Sequence, residues 1–111
     1  MSIDKLISEL SKESIDIEKV IDYSKRTQSD YISVSKAYFD LMVRFQSDVK
    51  KMGLLCKIIQ ELISSIEGIN NLIESLNAKK LDGEGLGALA GMVLKGEETI
   101  NSLVEQFEEV N

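Results

Sequence analysis

Few residues of this chain are of a type that does chemistry, and none stands at a spacing that would let it. Histidine is absent, which removes the commonest general base, metal ligand and near-neutral proton switch together. Carboxylates gather as Glu9 with Glu13 and as Glu105 with Glu108 and Glu109. These fall on the polar sides of helical patterns, and acid–base work needs a pKa raised by burial, so they read as solvating charge. The di-metal motif of helical bundles requires Glu-x-x-His, which cannot be written here. No catalytic residue, metal or cofactor is therefore expected. Cys56, the single cysteine, excludes an intrachain disulfide. It is expected to be a small buried hydrophobe, since Lys57 stands beside it but no base is present to activate a thiol.

Glycine offers two further patterns. Gly85, Gly87 and Ala90 imitate a dinucleotide-binding fingerprint, but that motif works only between a strand and a helix, and no strand pattern precedes it. Gly83, Gly87 and Gly91 are four apart. On a helix they would bare one face, predicting close packing against a second helix or, alternatively, a hinge. The apolar segment from Leu86 to Leu94 is too short to span a bilayer, though long enough to insert into one side.

With reactive chemistry set aside, the dominant signal is a stripe. Alternating steps of three and four from Tyr31 meet Val34, Tyr38, Leu41, Phe45, Asp48, Met52, Leu55, Ile59, Leu62, Ile66, Ile69, Ile73 and Leu76, and only Asp48 is not apolar. A seven-residue repeat held this long without proline predicts a long helix that follows a partner, on the order of 70 Å if unbroken. The next heptad position is also apolar, at Met42, Val49, Cys56 and Ile63. That widens the stripe to the face of a helix buried among several neighbours.

Around this helix, assigned to about 29–80 with a break considered at 47–53, the remaining chain divides readily. Residues 2–25 carry Ile3, Leu6, Ile7, Leu10, Ile17, Val20 and Ile21 on one face, with Ile15 off it. From Tyr23 to Asp30 the pattern lapses at Ser24 and Thr27, and Thr27-Gln28-Ser29-Asp30 has the spacing of a capping box, so an interhelical turn is favoured there. The competing expectation is an unbroken helix, because Ile3, Leu10, Ile17, Ser24 and Tyr31 keep their sevenfold phase. Asn77, Lys79, Lys80 and Asp82-Gly83 read as a stop and turn. A glycine-rich turn or short helix over 82–96 and an acidic helix over 97–110 complete the chain. The fold expected is all-α, a single domain over 1–111: an antiparallel bundle of three to four helices with an unusually long central one.

The net charge of −6 is unevenly placed. Residues 1–80 hold 12 basic and 12 acidic side chains, whereas 81–111 hold Lys95 against seven acids. An acidic chain without a basic stripe argues against nucleic acid and against anionic membrane surfaces. No signal peptide is read at the N-terminus, so a cytoplasmic protein is expected, with export by a signal-less route as the alternative. The expected partner is protein, either a second copy or another helical chain. Tyr31, Ile32, Tyr38, Phe39 and Val43 are the expected anchor patch, since aromatic and aliphatic residues on an otherwise polar face carry most interface affinity, and the alternative is that another helix of the same chain covers them.

The function expected is a non-catalytic scaffold, adaptor or assembly subunit. One alternative is a small acidic chaperone or exported helical-hairpin partner of a bacterial secretion system, although the Trp-x-Gly motif of such hairpins is absent: Lys51-Met52-Gly53 has lysine where tryptophan belongs. A second is a membrane-active helical protein using Leu86 to Leu94.

Overall fold

The computed structural model describes residues 2–78 and 83–110. Four helices follow one another, α1 (Ser2–Leu10), α2 (Ile17–Arg44), α3 (Val49–Asn77) and α4 (Gly83–Val110), and among the described residues there is no strand. The helical bundle expected from the stripe is present, but the unusually long central helix is not. α3 has 29 residues, and α2 and α4 have 28 each. A 29-residue helix is about 43 Å long, so the molecule's 49 × 20 × 19 Å extents are those of a bundle one helix long.

The break that shortens the central helix lies at its one polar seam residue. Asp48 is the N-cap of α3, in extended conformation (φ −106°, ψ 96°), and its Oδ1 accepts the Lys51 backbone N–H at 3.1 Å. A carboxylate there satisfies a donor that the first turn leaves unpaired and sits at the positive end of the macrodipole. The turn is closed by the Asp48 N–H donating to the Phe45 carbonyl at 3.0 Å. Gly53 is an interior, exposed residue of α3 and breaks nothing.

Two further boundaries differ from expectation. The helix expected over 2–25 ends at Leu10, and the turn expected at 23–30 is instead continuous α2. The reversal is made by Ser11 to Asp16, where the hydroxyls and carboxylate compete for backbone groups and favour caps over helix interior. Ser11 Oγ donates to the Ile7 carbonyl at 2.8 Å, and Asp16 caps α2 by accepting the Glu18 and Lys19 N–H groups at 3.1 and 3.4 Å. Glu9, buried at the end of α1, clamps this turn. Its Oε1 accepts the Asp16 N–H at 3.1 Å, and its Oε2 lies 2.6 Å from Lys12 Nζ. Thr27 is no cap; it is buried and its hydroxyl donates to the Tyr23 carbonyl at 2.8 Å, one turn back.

α3 packs against both α2 and α4, and α1 packs against the same two helices. The four therefore form a square in cross-section, with α2 diagonal to α4. Among the described residues α3 supplies half of the buried apolar side chains, Leu55, Ile58, Leu62, Ile69, Leu72, Ile73 and Leu76, and each is worth about 2 kcal/mol when removed from water. α1, with Ile3 and Leu6 fully buried, lies along the first half of α2: Ser2 and Lys5 share a surface hollow with Asp30, Ser33 and Val34, and Glu9 and Lys12 share one with Tyr23. Ser24 and Thr27 therefore lie in the stretch where α1 is docked, where small side chains replace the bulk of the seam.

The diagonal between α2 and α4 is bridged by an aromatic row at sevenfold spacing. The Tyr31 hydroxyl donates to Glu97 Oε2, and Phe45 meets Phe107 edge to face with centroids 6.2 Å apart. Lys51 Nζ lies over the Phe45 ring, 4.6 Å from its centroid, closing the α2–α3 corner. The turn expected at Asn77 to Gly83 lies largely outside the described residues, since Lys79, Lys80, Leu81 and Asp82 are among those not described. α4 begins at Gly83 and runs unbroken through 82–96 and 97–110, which were expected as separate pieces.

Candidate association surface

The expected anchor patch divides in two, because adjacent residues on a helix are 100° apart. Tyr31 is 3% exposed and Tyr38 half-buried, both turned toward α4, whereas Ile32, Phe39 and Val43 are 43%, 57% and 55% exposed. Burial, and then the bond to Glu97, pushes the Tyr31 phenol well above its ordinary range, and burial followed by the charge of Glu108 raises that of Tyr38. Both tyrosines stay neutral and belong to the interior of the bundle. The surface row is Ile32, Phe39 and Val43, spaced by seven and four so that they share one flank of α2.

That flank adjoins α3. Gln28 Nε2 donates to the Ile66 carbonyl at 3.2 Å, and Cys56 Sγ lies 3.9 Å from Met42 Sδ, which together fix the antiparallel register of the two helices. Ile32 then comes level with Ile63, and Val43 with Cys56. Ile63 is 48% exposed and Cys56 is exposed, contrary to its expected burial. The outer face of the α2–α3 pair therefore carries apolar residues from both helices. Val49, two turns before Cys56 in the column that continues to Ile63, is also solvent-exposed. The heptad position that widened the stripe is thus largely surface. Four packed elements bury two seam positions of α3 plus its α4-facing side, leaving the third position outside.

The glycine pattern is placed differently from expectation. Gly87 and Gly91 are exposed, with open space where a Cβ would stand, and α4 passes through both without a hinge. Gly83 is the first residue of α4. Close approach occurs at Gly96, where a Cβ would come within 2.9 Å of Ser65 Oγ on α3. Beside this contact is a half-open hollow of about 380 Å³ between α3 and α4, lined by Gly68, Ser65, Met92, Thr99 and the ring of Tyr31 among others. Within the Leu86–Leu94 segment, Leu86, Leu89 and Val93 face the bundle, while Met92 and Leu94 are exposed. Among the described residues no helix is long and apolar enough to cross a membrane.

Asp48 is spent on capping α3, and its Oδ2 is 4.0 Å from the Nζ of Lys51 in the first turn of the same helix. Among the described residues no three carboxylate or thiol groups converge on one point. Comparison with family models, curated proteins and solved structures finds no match.

Proposed function

We propose that this protein is a non-catalytic helical association module, a scaffold or assembly subunit that works by mutual burial of apolar helix faces. The observation that carries the reading is the row Ile32, Phe39 and Val43, which stands in solvent on a helix whose other face already supplies the core. Large apolar side chains grouped on one flank, continued by Ile63 of the adjacent helix, mark a surface built to be covered. Its proposed setting is the cytoplasm. The secretion-chaperone reading uses the same surface and differs in the partner, a secreted chain in place of a structural one.

The test is Ile32→Ala with Phe39→Ala. Both side chains are exposed, so folding stability should change by no more than about 0.5 kcal/mol for each substitution. Association measured by sedimentation velocity should be lost. An unchanged sedimentation profile with unchanged partner capture would contradict the assignment of this row.

A second reading has an observation of its own. Gly87, Gly91, Met92 and Leu94 give the outer side of the first half of α4 an exposed surface of small and apolar residues. A membrane-active protein would use it, and liposome leakage abolished by Gly87→Glu would favour that class.

A further inference from the structure

We infer that the occupant of the α2–α3 face is a second copy of this chain, docked about a twofold axis parallel to the helices so that α2 of each protomer lies over α3 of the other. This rests on the association reading above and adds the partner and the geometry.

Three features point to it. The first is where charge is absent: residues 81–111 hold seven acids against Lys95, so the whole net charge of −6 belongs to the α4 side. Two copies meeting through α4 would repel, whereas the remainder of the chain is balanced. The second is the sign of the rim. Lys25 and Lys36 stand beside the apolar row on α2, and Glu67 and Glu74 stand beside it on α3, all four exposed. Among the described residues neither Lys25 nor Glu67 forms an ion pair within the chain.

The third is level. The register set by Gln28 with Ile66 and Met42 with Cys56 puts Lys25 level with about residues 69–73, between Glu67 and Glu74, and Ile32 level with Ile63. An axis parallel to the helices keeps height and exchanges the two helices, so each α2 residue faces the α3 residue at its own level in the other copy. Lys25 then falls between Glu67 and Glu74, about one turn from Glu67, Ile32 meets Ile63, and the Phe39–Val43 end meets Cys56, each contact occurring twice as an isologous interface requires. An axis perpendicular to the helices would lay α2 over α2 and α3 over α3, so that neither Lys25 nor Lys36 comes opposite Glu67 or Glu74 and the complementarity of the two rims is lost.

The experiment is a charge exchange read by sedimentation equilibrium on the full chain. The unaltered protein should dimerise reversibly. Lys25→Glu alone, and Glu67→Lys alone, should each weaken the dimer at least about tenfold, since each turns two attractive contacts into repulsive ones. Mixing the two variants should restore a heterodimer near the original strength, because both contacts are then opposite in sign. All three proteins should keep their helical circular dichroism, as both positions are exposed. A mixture as weak as its components overturns the proposed geometry. So does a dimer lost on Ile32→Ala with Phe39→Ala but indifferent to both reversals, while leaving the association surface itself standing. A dimer that survives the alanine pair sinks the surface as well. A wild-type chain that stays monomeric up to about 100 µM overturns the second copy as occupant.

Discussion

At Ser24 a hydroxyl lies fully buried in the core without a hydrogen-bond partner among the described residues. A buried polar group left unpaired costs roughly 1–3 kcal/mol, so Ser24→Ala, which keeps the small volume that the docked α1 requires, should raise stability by about 1 kcal/mol in urea unfolding. A loss of stability would mean that the hydroxyl is satisfied. Glu9 carries a pH dependence. Its carboxyl is held below its ordinary value of 4.5, first by the hydrogen bond from Lys12 and also by the backbone N–H of Asp16, against the opposing effect of burial. A lowered pKa in the folded state stabilises it above the unfolded value and loses that contribution as acid protonates the group. Stability should therefore fall as pH drops below about 4.5, and Glu9→Gln should flatten that part of the profile. An unaltered acid limb in the variant would remove Glu9 from the explanation. None of this was legible beforehand: Glu9 was read only as solvent-facing charge, because its burial depends on a turn at Ser11 to Asp16 that apolar periodicity does not mark.

Among the elements, α4 gives the sharpest contrast between a glycine that is needed and glycines that are not. Gly87 and Gly91 stand in open space within a continuous helix, so alanine at either should stabilise by about 1 kcal/mol through helix propensity. Gly96→Ala should gain less or lose, because its Cβ would crowd Ser65 Oγ at 2.9 Å, and Ser65→Ala should recover the difference. Equal gains at all three positions would contradict the close approach of α3 and α4. The periodic pattern Gly83, Gly87 and Gly91 does not include the glycine at which α3 comes within reach of a Cβ, Gly96. Gly83, Gly87 and Gly91 share a face by periodicity, yet which face meets a neighbour is set by the stripe of Leu86, Val93 and Ile100, which points elsewhere. The sevenfold phase was likewise informative for α2, whose continuity through Ser24 and Thr27 it implied. It also ran unbroken across the true reversal between Leu10 and Ile17, where chain direction changes and phase alone cannot report it.

For the whole molecule, the all-helical fold followed from the periodicity, and its compactness followed from one residue. The apolar repeat would carry a helix straight through Asp48, and its capping of α3 starts a new one there. The same choice separates a rod on the order of 70 Å from a bundle with a radius of gyration of 15.4 Å. It also moves the third apolar heptad position from interior to surface, which is why Cys56 and Ile63 join Ile32, Phe39 and Val43 outside. The most direct check on this surface is methyl and aromatic NMR of the native chain across a dilution series. Concentration-dependent shifts should fall on Ile32, Phe39, Val43 and Ile63 and spare the equally exposed Ile17, Met92 and Leu94. Shifts confined to Met92 and Leu94, or signals that do not move with concentration or added partner, would contradict it.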